Sequence, residues 1–214
     1  ALAAIIPVGL FFIGWDYWFT VEGVWAFNHA YLVGLEYWQL PLEEWLFFLT
    51  VPFACIFIYE VVICYTQKAL FPRTGHWAAA ILGAVLIILA TLFSDQLYTT
   101  ITFNLTGLLL LINGVWYRPS YLGSFFVAYL IHLIPFGVVN GILTAYPVVV
   151  YNNADNFGLR LGTIPVEDTI YSMLLLLMNI NLYERFKQLW PVKPPRKEPK
   201  PAATAHTPEA SAGE

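Results

Sequence analysis

The sequence predicts an all-α protein, a multi-pass transmembrane helical bundle of about six helices, and three observations carry that prediction. First, only 11% of the 214 residues are charged and 59% are hydrophobic, with a mean hydropathy of +0.65. A soluble domain carries about 25% charged residues. Second, the apolar residues gather into six segments, roughly 1–15, 43–66, 77–94, 100–116, 121–145 and 167–186. Most are near the ~20 residues needed to cross a bilayer as a helix, and they are apolar on all sides, without the alternation of a barrel strand. Third, the basic residues fall after every second segment.

The first segment begins within an apolar run at Ala1, with no basic stretch before it. A cleavable signal would need one, so the expectation is that a further membrane segment precedes it. The second segment contains both cysteines, Cys55 and Cys64. Nine residues of helix separate them by ~13.5 Å, too far for a disulfide, so they are expected to serve packing. Lys68 and Arg73 follow the second segment, Arg118 the fourth, and Arg185, Lys187, Lys193, Arg196, Lys197 and Lys200 the sixth. Arg160 alone lies in a loop of the opposite set. By the positive-inside rule the C-terminus is cytoplasmic and the odd-numbered loops face outward across the inner membrane. From about residue 191 the chain is rich in Pro, Ala and charge, and is expected to form a disordered cytoplasmic tail drawn to the lipid surface.

An internal repeat organises the rest. Residues 25–60 align without a gap on 149–184, at a constant offset of 124, with nine of 36 positions identical. The identities include Asn28/Asn152, Gly34/Gly158, Pro41/Pro165, Glu43/Glu167, Tyr59/Tyr183 and Glu60/Glu184. Phe27/Tyr151, Leu40/Ile164, Glu44/Asp168 and Asp16/Asn140 are related pairs. Shared Leu and Ile mean little in so apolar a chain, whereas shared Asn, Gly, Pro and Glu do not arise from composition. Four helices separate the copies, so both point the same way, as two parallel pseudo-repeats about an axis along the membrane normal. The predicted divisions are a first repeat over 1–76, connecting helices over 77–120, a second repeat over 121–190 and the tail over 191–214.

Each copy carries a P-x-E-[ED] motif, PLEE at 41–44 and PVED at 165–168. Proline suits the first turn of a helix, where a missing N–H costs nothing. Acids in a first turn complement the helix dipole, which is the structural alternative to a catalytic role. The recurrence of the doublet where an outer loop enters hydrocarbon favours function, because near-membrane carboxylates are expensive unless used. Four carboxylates, Glu43, Glu44, Glu167 and Asp168, in an apolar and aromatic setting can donate and abstract protons. Phe47, Phe48 and Tyr171, one turn further in, offer ring faces to a developing cation.

These stretches, FNHAYLVG, LPLEEWLFF and IYE in the first half with YPVVVYNN, FGLRLGTIPVEDTIY and NLYE in the second, resemble the flavin-independent lycopene cyclase domain family in its fused form. The resemblance covers nearly everything from residue 10 to 186. It implies an intramolecular lyase, an isomerase that turns the ψ ends of lycopene into β-ionone rings (γ- and β-carotene) in carotenoid biosynthesis. No redox cofactor is implied, and no strand-associated G-x-G-x-x-G is present for a flavin. Glu43, Glu44, Glu167 and Asp168 match the family's motif acids. Glu43 and Glu167, Glu in both copies, are the expected acid/base pair, with Glu44 and Asp168 tuning their pKa or receiving the departing proton. Asn28, Asn152 and Arg160 are expected to orient those acids, and Asp16, Tyr59, Glu60, Tyr183 and Glu184 are weaker candidates. Glu60, ~25 Å along the helix from Glu43, is expected at the inner surface. His29, His76, His132 and His206 show no metal-ligand spacing, so no metal is expected.

The implied partners are a carotenoid and membrane lipid, with a second copy of the chain or other carotenoid enzymes as further contacts, and no nucleic acid. A proton-coupled small transporter would also use acids in a repeated membrane fold, but the acids cluster at one face, not at midplane. A polyprenyl transferase would need several Lys or Arg for a diphosphate and has only Arg160 there. Within the family, a cyclase of C50 carotenoids or of another ring isomer fits equally.

Overall fold

The computed structural model describes residues 1–190, and the expected cytoplasmic tail from 191 lies outside the described residues. Six helices account for the six apolar segments: α1 (Leu2–Glu22), α2 (Leu42–Thr66), α3 (Pro72–Leu92), α4 (Leu97–Leu111), α5 (Leu122–Ala145) and α6 (Val166–Leu189). A π-helical turn over Ile112–Tyr117 continues α4. Five of the six are long and apolar enough to cross a membrane, α4 by including that turn. α6 has 24 residues but also carries Glu167, Asp168, Glu184, Arg185 and Lys187. Its position explains why it tolerates them. It packs against α1, α2, α4 and α5, and the four consecutive residues Leu174, Leu175, Leu176 and Leu177 are all buried. Consecutive helical residues point about 100° apart, so α6 is sheathed by protein on every side over this stretch, which includes no charged residue. Glu167 and Asp168 are buried at the start of the helix, and Arg185 is exposed near its end.

α1 runs seven residues beyond the expected end of its segment. Asp16 does not terminate it, because that carboxyl is buried among partners described below. The helix stops at Gly23, which adopts φ 74° and donates its N–H to the Phe19 and Thr20 carbonyls, a left-handed cap that glycine adopts without a Cβ penalty. α3 lies at the edge of the bundle against α4 and α5. A Cβ added at Gly83 would stand 2.8 Å from the Gly107 carbonyl oxygen, and one at Gly107 2.9 Å from that of Gly83. The two helices thus cross through reciprocal small residues, the usual way for backbones to approach in lipid.

The two longer connections that precede α2 and α6 carry short strands, which the apolar pattern did not announce: β1 (Trp25–Phe27), β2 (Glu36–Tyr37) and β3 (Leu40–Pro41), then β4 (Val149–Tyr151), β5 (Arg160–Leu161) and β6 (Ile164–Pro165). β2 pairs with β3 and β5 with β6 as tight hairpins, and GLRLG lies across the second. β1 pairs antiparallel with β4, Ala26 opposite Val150, Trp25 opposite Tyr151 and Phe27 opposite Val149. Every one of these elements has its counterpart at the 124-residue offset, and so do their contacts. The Asn28 N–H donates to the Val148 carbonyl and the Asn152 N–H to that of Val24, each at 2.8 Å. The Leu42 N–H donates to Leu35 and the Val166 N–H to Leu159. His29 pairs with Glu36 at 2.7 Å, and at the matching positions Asn153 accepts from Arg160 at 2.8 Å. Gly34 and Gly158, identical in the alignment, both take positive φ, 85° and 79°, which accounts for glycine at both places.

At the opposite end, Tyr59 donates to Glu184 at 2.9 Å and Lys187 to Glu60 at 2.7 Å, tying α2 to α6. Glu60 therefore makes an interhelical ion pair at the end remote from the motif acids, as its spacing from Glu43 requires.

Candidate active site

The N-terminal ends of α2, α4 and α6 meet the C-terminal parts of α1 and α5 beneath the β1–β4 ribbon. Pro41 and Pro165 stand just before the first turn, with φ −66° and −57°. The second helical residue is then Glu43 or Glu167 and the third Glu44 or Asp168. This phase separates the doublets.

Glu43 and Glu167 turn back toward the connecting segments. Glu43 Oε1 accepts from the Val33 N–H at 2.7 Å. Glu167 Oε1 accepts from the Phe157 N–H, the matching position, and from Thr99 Oγ1 at 2.6 Å. Glu167 is fully buried. Each acid thus fastens the long connection before its helix to that helix's first turn, and neither lines the cavity described next.

Glu44 and Asp168 point the other way, into a cavity of about 260 Å³ bounded chiefly by α2, α5 and α6. Asp16 of α1 joins them there. Asp168 Oδ1 accepts from the Tyr98 hydroxyl at 2.6 Å and Oδ2 from the Tyr151 hydroxyl at 2.7 Å. The Tyr171 hydroxyl donates to Asp16 Oδ1 at 2.5 Å, and Asp16 and Glu44 both line the cavity. Tyr151, on the ribbon above the helices, has its phenol pushed well above the ordinary value by burial and by the neighbouring Asp168, so it stays a donor.

Around the three carboxyls stand the rings of Trp25, Phe27, Phe47, Tyr98, Tyr151 and Tyr171. Trp25 is wedged edge-on against Tyr98, Tyr151 and Tyr171, with centroids 5.3, 6.2 and 6.2 Å away. Phe47 and Tyr171, expected beside the acids, are both in the lining. Phe48 is buried instead against Phe12 at 5.8 Å. Away from the acids the walls turn apolar: Val51, Ala54, Cys55 and Ile58 of α2, Pro135, Phe136 and Val139 of α5, Leu175 and Leu176 of α6. Glu44 to Ile58 spans about 21 Å of helix rise, so the cavity is long and narrow. At depth the Cys55 thiol meets His132 Nδ1 at 3.2 Å.

Three expected orienting residues touch none of the acids. Asn28 Oδ1 accepts from the Ala30 N–H and Asn152 Oδ1 from the Ala154 N–H, each at 3.1 Å. These are Asx turns, in which the side chain closes its own local loop, and that explains the shared Asn. Arg160 bonds the Thr163 carbonyl and Asn153, each at 2.8 Å, and lies 5.9 Å from the Tyr151 ring centroid. It reaches Asp168 only through that tyrosine. Sequence reasoning passed over Tyr98 and Thr99, and it ranked Asp16 low. The available signal for Asp16 was a lone carboxylate within an apolar helix, which is costly without a purpose. Among the described residues no cluster of three potential metal ligands occurs.

The lycopene cyclase family model matches residues 1–62 and 95–186. The chain belongs to the lycopene cyclase family. No curated protein and no solved structure matches it. Membership in the lycopene cyclase family makes the chain a membrane carotenoid cyclase in general terms. Every residue that lines the cavity falls within the two matched stretches, whereas α3, which contributes nothing to the cavity, falls between them.

Proposed function

We propose that the chain cyclises the ψ ends of lycopene to β-ionone rings, giving γ- and then β-carotene, through the motif acids that face the cavity, Glu44 and Asp168. The observation that carries this reading is the cavity itself. Carboxyl groups stand at one end among six aromatic rings, and an apolar channel continues some 21 Å from them. A hydrocarbon chain fits such a channel because it needs no polar partner along its length.

The reaction begins when a carboxylic acid protonates the terminal double bond of the ψ end. The internal C5=C6 bond attacks the tertiary cation so formed, and loss of a proton leaves the ring. A cation generated among ring faces is stabilised by their quadrupoles, and enclosure keeps water from capturing it. Substrate and product are isomers, so protons move but no electrons are gained or lost. Glu43 and Glu167, whose oxygens accept from the connecting segments, hold the roof of the site in this scheme and do not meet the substrate.

The paired motifs and the matching contacts at the 124-residue offset support two copies related by an axis along the membrane normal. Lys68, Arg73, Arg118, Arg185 and Lys187 all lie at the end remote from the cavity's acids. By the positive-inside rule that end is cytoplasmic, and the acids then sit toward the outer face of the inner membrane.

Production of the intact protein in a lycopene-accumulating host tests the function. Conversion of red lycopene to yellow-orange cyclic carotenoids is expected from the wild type and not from Glu44→Gln or Asp168→Asn. Lycopene left unchanged by folded wild-type protein would sink the proposal.

A further inference from the structure

The cavity holds a carboxyl that the paired motifs do not supply. Asp16 is almost wholly buried; its carboxyl accepts from the Tyr171 hydroxyl, and it lines the same cavity as Glu44. Two full negative charges facing one aromatic-lined cavity would repel strongly. The Asp16–Glu44 pair therefore carries one proton over two groups, as carboxyl dyads do.

Asp168 stands in the opposite situation. Each of its oxygens accepts a tyrosine O–H, from Tyr98 and from Tyr151. Two donors on one carboxylate favour its ionised form. The site thus sets a pair that retains a proton beside a carboxyl better supplied with donors and so readier to ionise, facing the same cavity from different helices.

Building on the cyclase reading above, we propose that Asp16 is a catalytic residue: with Glu44 it forms the proton-donating pair, while Asp168, held as a carboxylate by Tyr98 and Tyr151, receives the departing proton. In the first step the O–H bond of the pair breaks. The C1=C2 π electrons of the substrate form the new C–H bond at C2, leaving the cation at C1. The C5=C6 electrons then form the C1–C6 bond and move the cation to C5. Finally the C–H bond at C6 breaks, its electrons restore C5=C6, and the proton passes to Asp168. Each turnover leaves the pair one proton short and Asp168 one proton in excess, and exchange with water resets both.

The internal alignment is consistent with this division. The counterpart of Asp16 is Asn140, which also lines the cavity but cannot share a proton between carboxyls. The counterparts of Tyr151 and Tyr171 are Phe27 and Phe47, which lack hydroxyls.

The test uses the intact protein in lipid nanodiscs and two separate readouts. Infrared spectroscopy reports the carbonyl stretch of a protonated carboxylic acid, recognised by its shift in D2O. That band is expected in the wild type and in Asp168→Asn, and is expected to vanish in both Asp16→Asn and Glu44→Gln. Turnover of lycopene is expected to fall at least about 100-fold in Asp16→Asn, the lower range for one general acid, with the ring isomer unchanged. Asp168→Asn is expected to fall similarly and to shift any residual product toward rings deprotonated at another carbon. Glu44→Gln gives the same two readouts should Asp16→Asn not fold. A band that survives both pair variants, or full turnover by folded Asp16→Asn, overturns the proposal. Absence of any turnover by the wild type would instead defeat the cyclase reading, while the infrared band still decides the pair.

Discussion

Replacing Glu167 in two ways separates a carboxylate that holds structure from one that does chemistry. The Glu167 side chain is fully buried and accepts two hydrogen bonds, one from the Phe157 N–H and one from Thr99. Alanine removes both. At about 1.5–3 kcal/mol for each bond to a charged group, the loss is roughly 3–6 kcal/mol, enough to unfold many domains of ordinary stability. Glutamine keeps a carbonyl oxygen where Oε1 stands, and both donors retain an acceptor. Glu167→Gln is therefore expected to unfold within a few degrees of the wild type in detergent and to convert lycopene within a few-fold of its rate. Glu167→Ala is expected to lose most of the folded protein. Asp168→Asn, one residue along, is expected to remain folded and to lose about 10²–10⁴ in rate, the usual contribution of a general acid or base. Thermal unfolding monitored by tryptophan fluorescence, alongside carotenoid analysis, gives both numbers for each variant. A folded Glu167→Gln protein as inactive as Asp168→Asn would refute the assignment and return Glu167 to the acid/base pair.

The channel, the edge helix and the inner ion pairs give further tests. Ala54→Phe introduces a ring into the apolar part of the cavity; turnover is expected to collapse with little change in unfolding temperature, and undiminished activity would mean that the substrate lies elsewhere. Gly107→Leu drives a side chain into the Gly83 carbonyl and should lower stability by at least about 1–3 kcal/mol, as overpacking does, read as an earlier thermal transition. Lys187→Ala breaks the contacts with Glu60 and Glu184, but the pair is more than a third exposed, so solvent screening limits the change to about 0–1 kcal/mol. Its turnover should match the wild type, and a large loss would point to a role for the inner end in catalysis.

The membrane class, the six helices and the clustering of the motif acids at one end are all legible in the sequence, because apolar length and loop charge are coarse signals that survive averaging. The identity of the inward-facing acid is not. Glu43 and Glu44 are adjacent, and which of them meets the cavity depends on the helix beginning at Leu42, a single-residue matter of phase. Shared identity in the two copies drew attention to Glu43 and Glu167. The structure shows that the same loop connection in both halves accounts for that identity equally well. Asn28 and Asn152 illustrate the same effect, being alike because they close matching turns. The strands escaped notice because two- and three-residue segments leave no periodicity to find. Tyr98, which meets Asp168 from 70 positions away, falls between the third and fourth apolar segments, where one tyrosine looks like any other. Its contact with Asp168 is visible only once α4 and α6 are packed.

A repeated motif raises the question of whether the chain has two equivalent sites or one shared site, and the placement of the acids bears on it. The acid-lined cavity takes Asp16 and Glu44 from the first aligned segment and its flank, and Asp168 from the second. Ring formation needs one proton delivered and one removed, at different carbons. Two identical half-sites would each present the same carboxyl in the same state, and neither state suits both steps. The differences between the aligned halves remove that difficulty. Asp16 faces Asn140 in the alignment, so only one half can build a carboxyl pair. Phe27 and Phe47 correspond to Tyr151 and Tyr171, so only the second half contributes hydroxyls from those places. Tyr151 holds Asp168 within its own half, while Tyr171 reaches across to Asp16 in the other. In the proposed mechanism the chemistry therefore lies where the two aligned segments differ, and their matching contacts supply the frame. Restoring symmetry should then be harmful in one direction only. Asn140→Asp would add a fourth carboxyl to the cavity, crowd negative charge around Asp168 and slow turnover, whereas Phe47→Tyr adds a neutral donor and should leave the rate nearly unchanged. Equal losses from both would argue that the cavity tolerates no change at all, and that the asymmetry carries no special role.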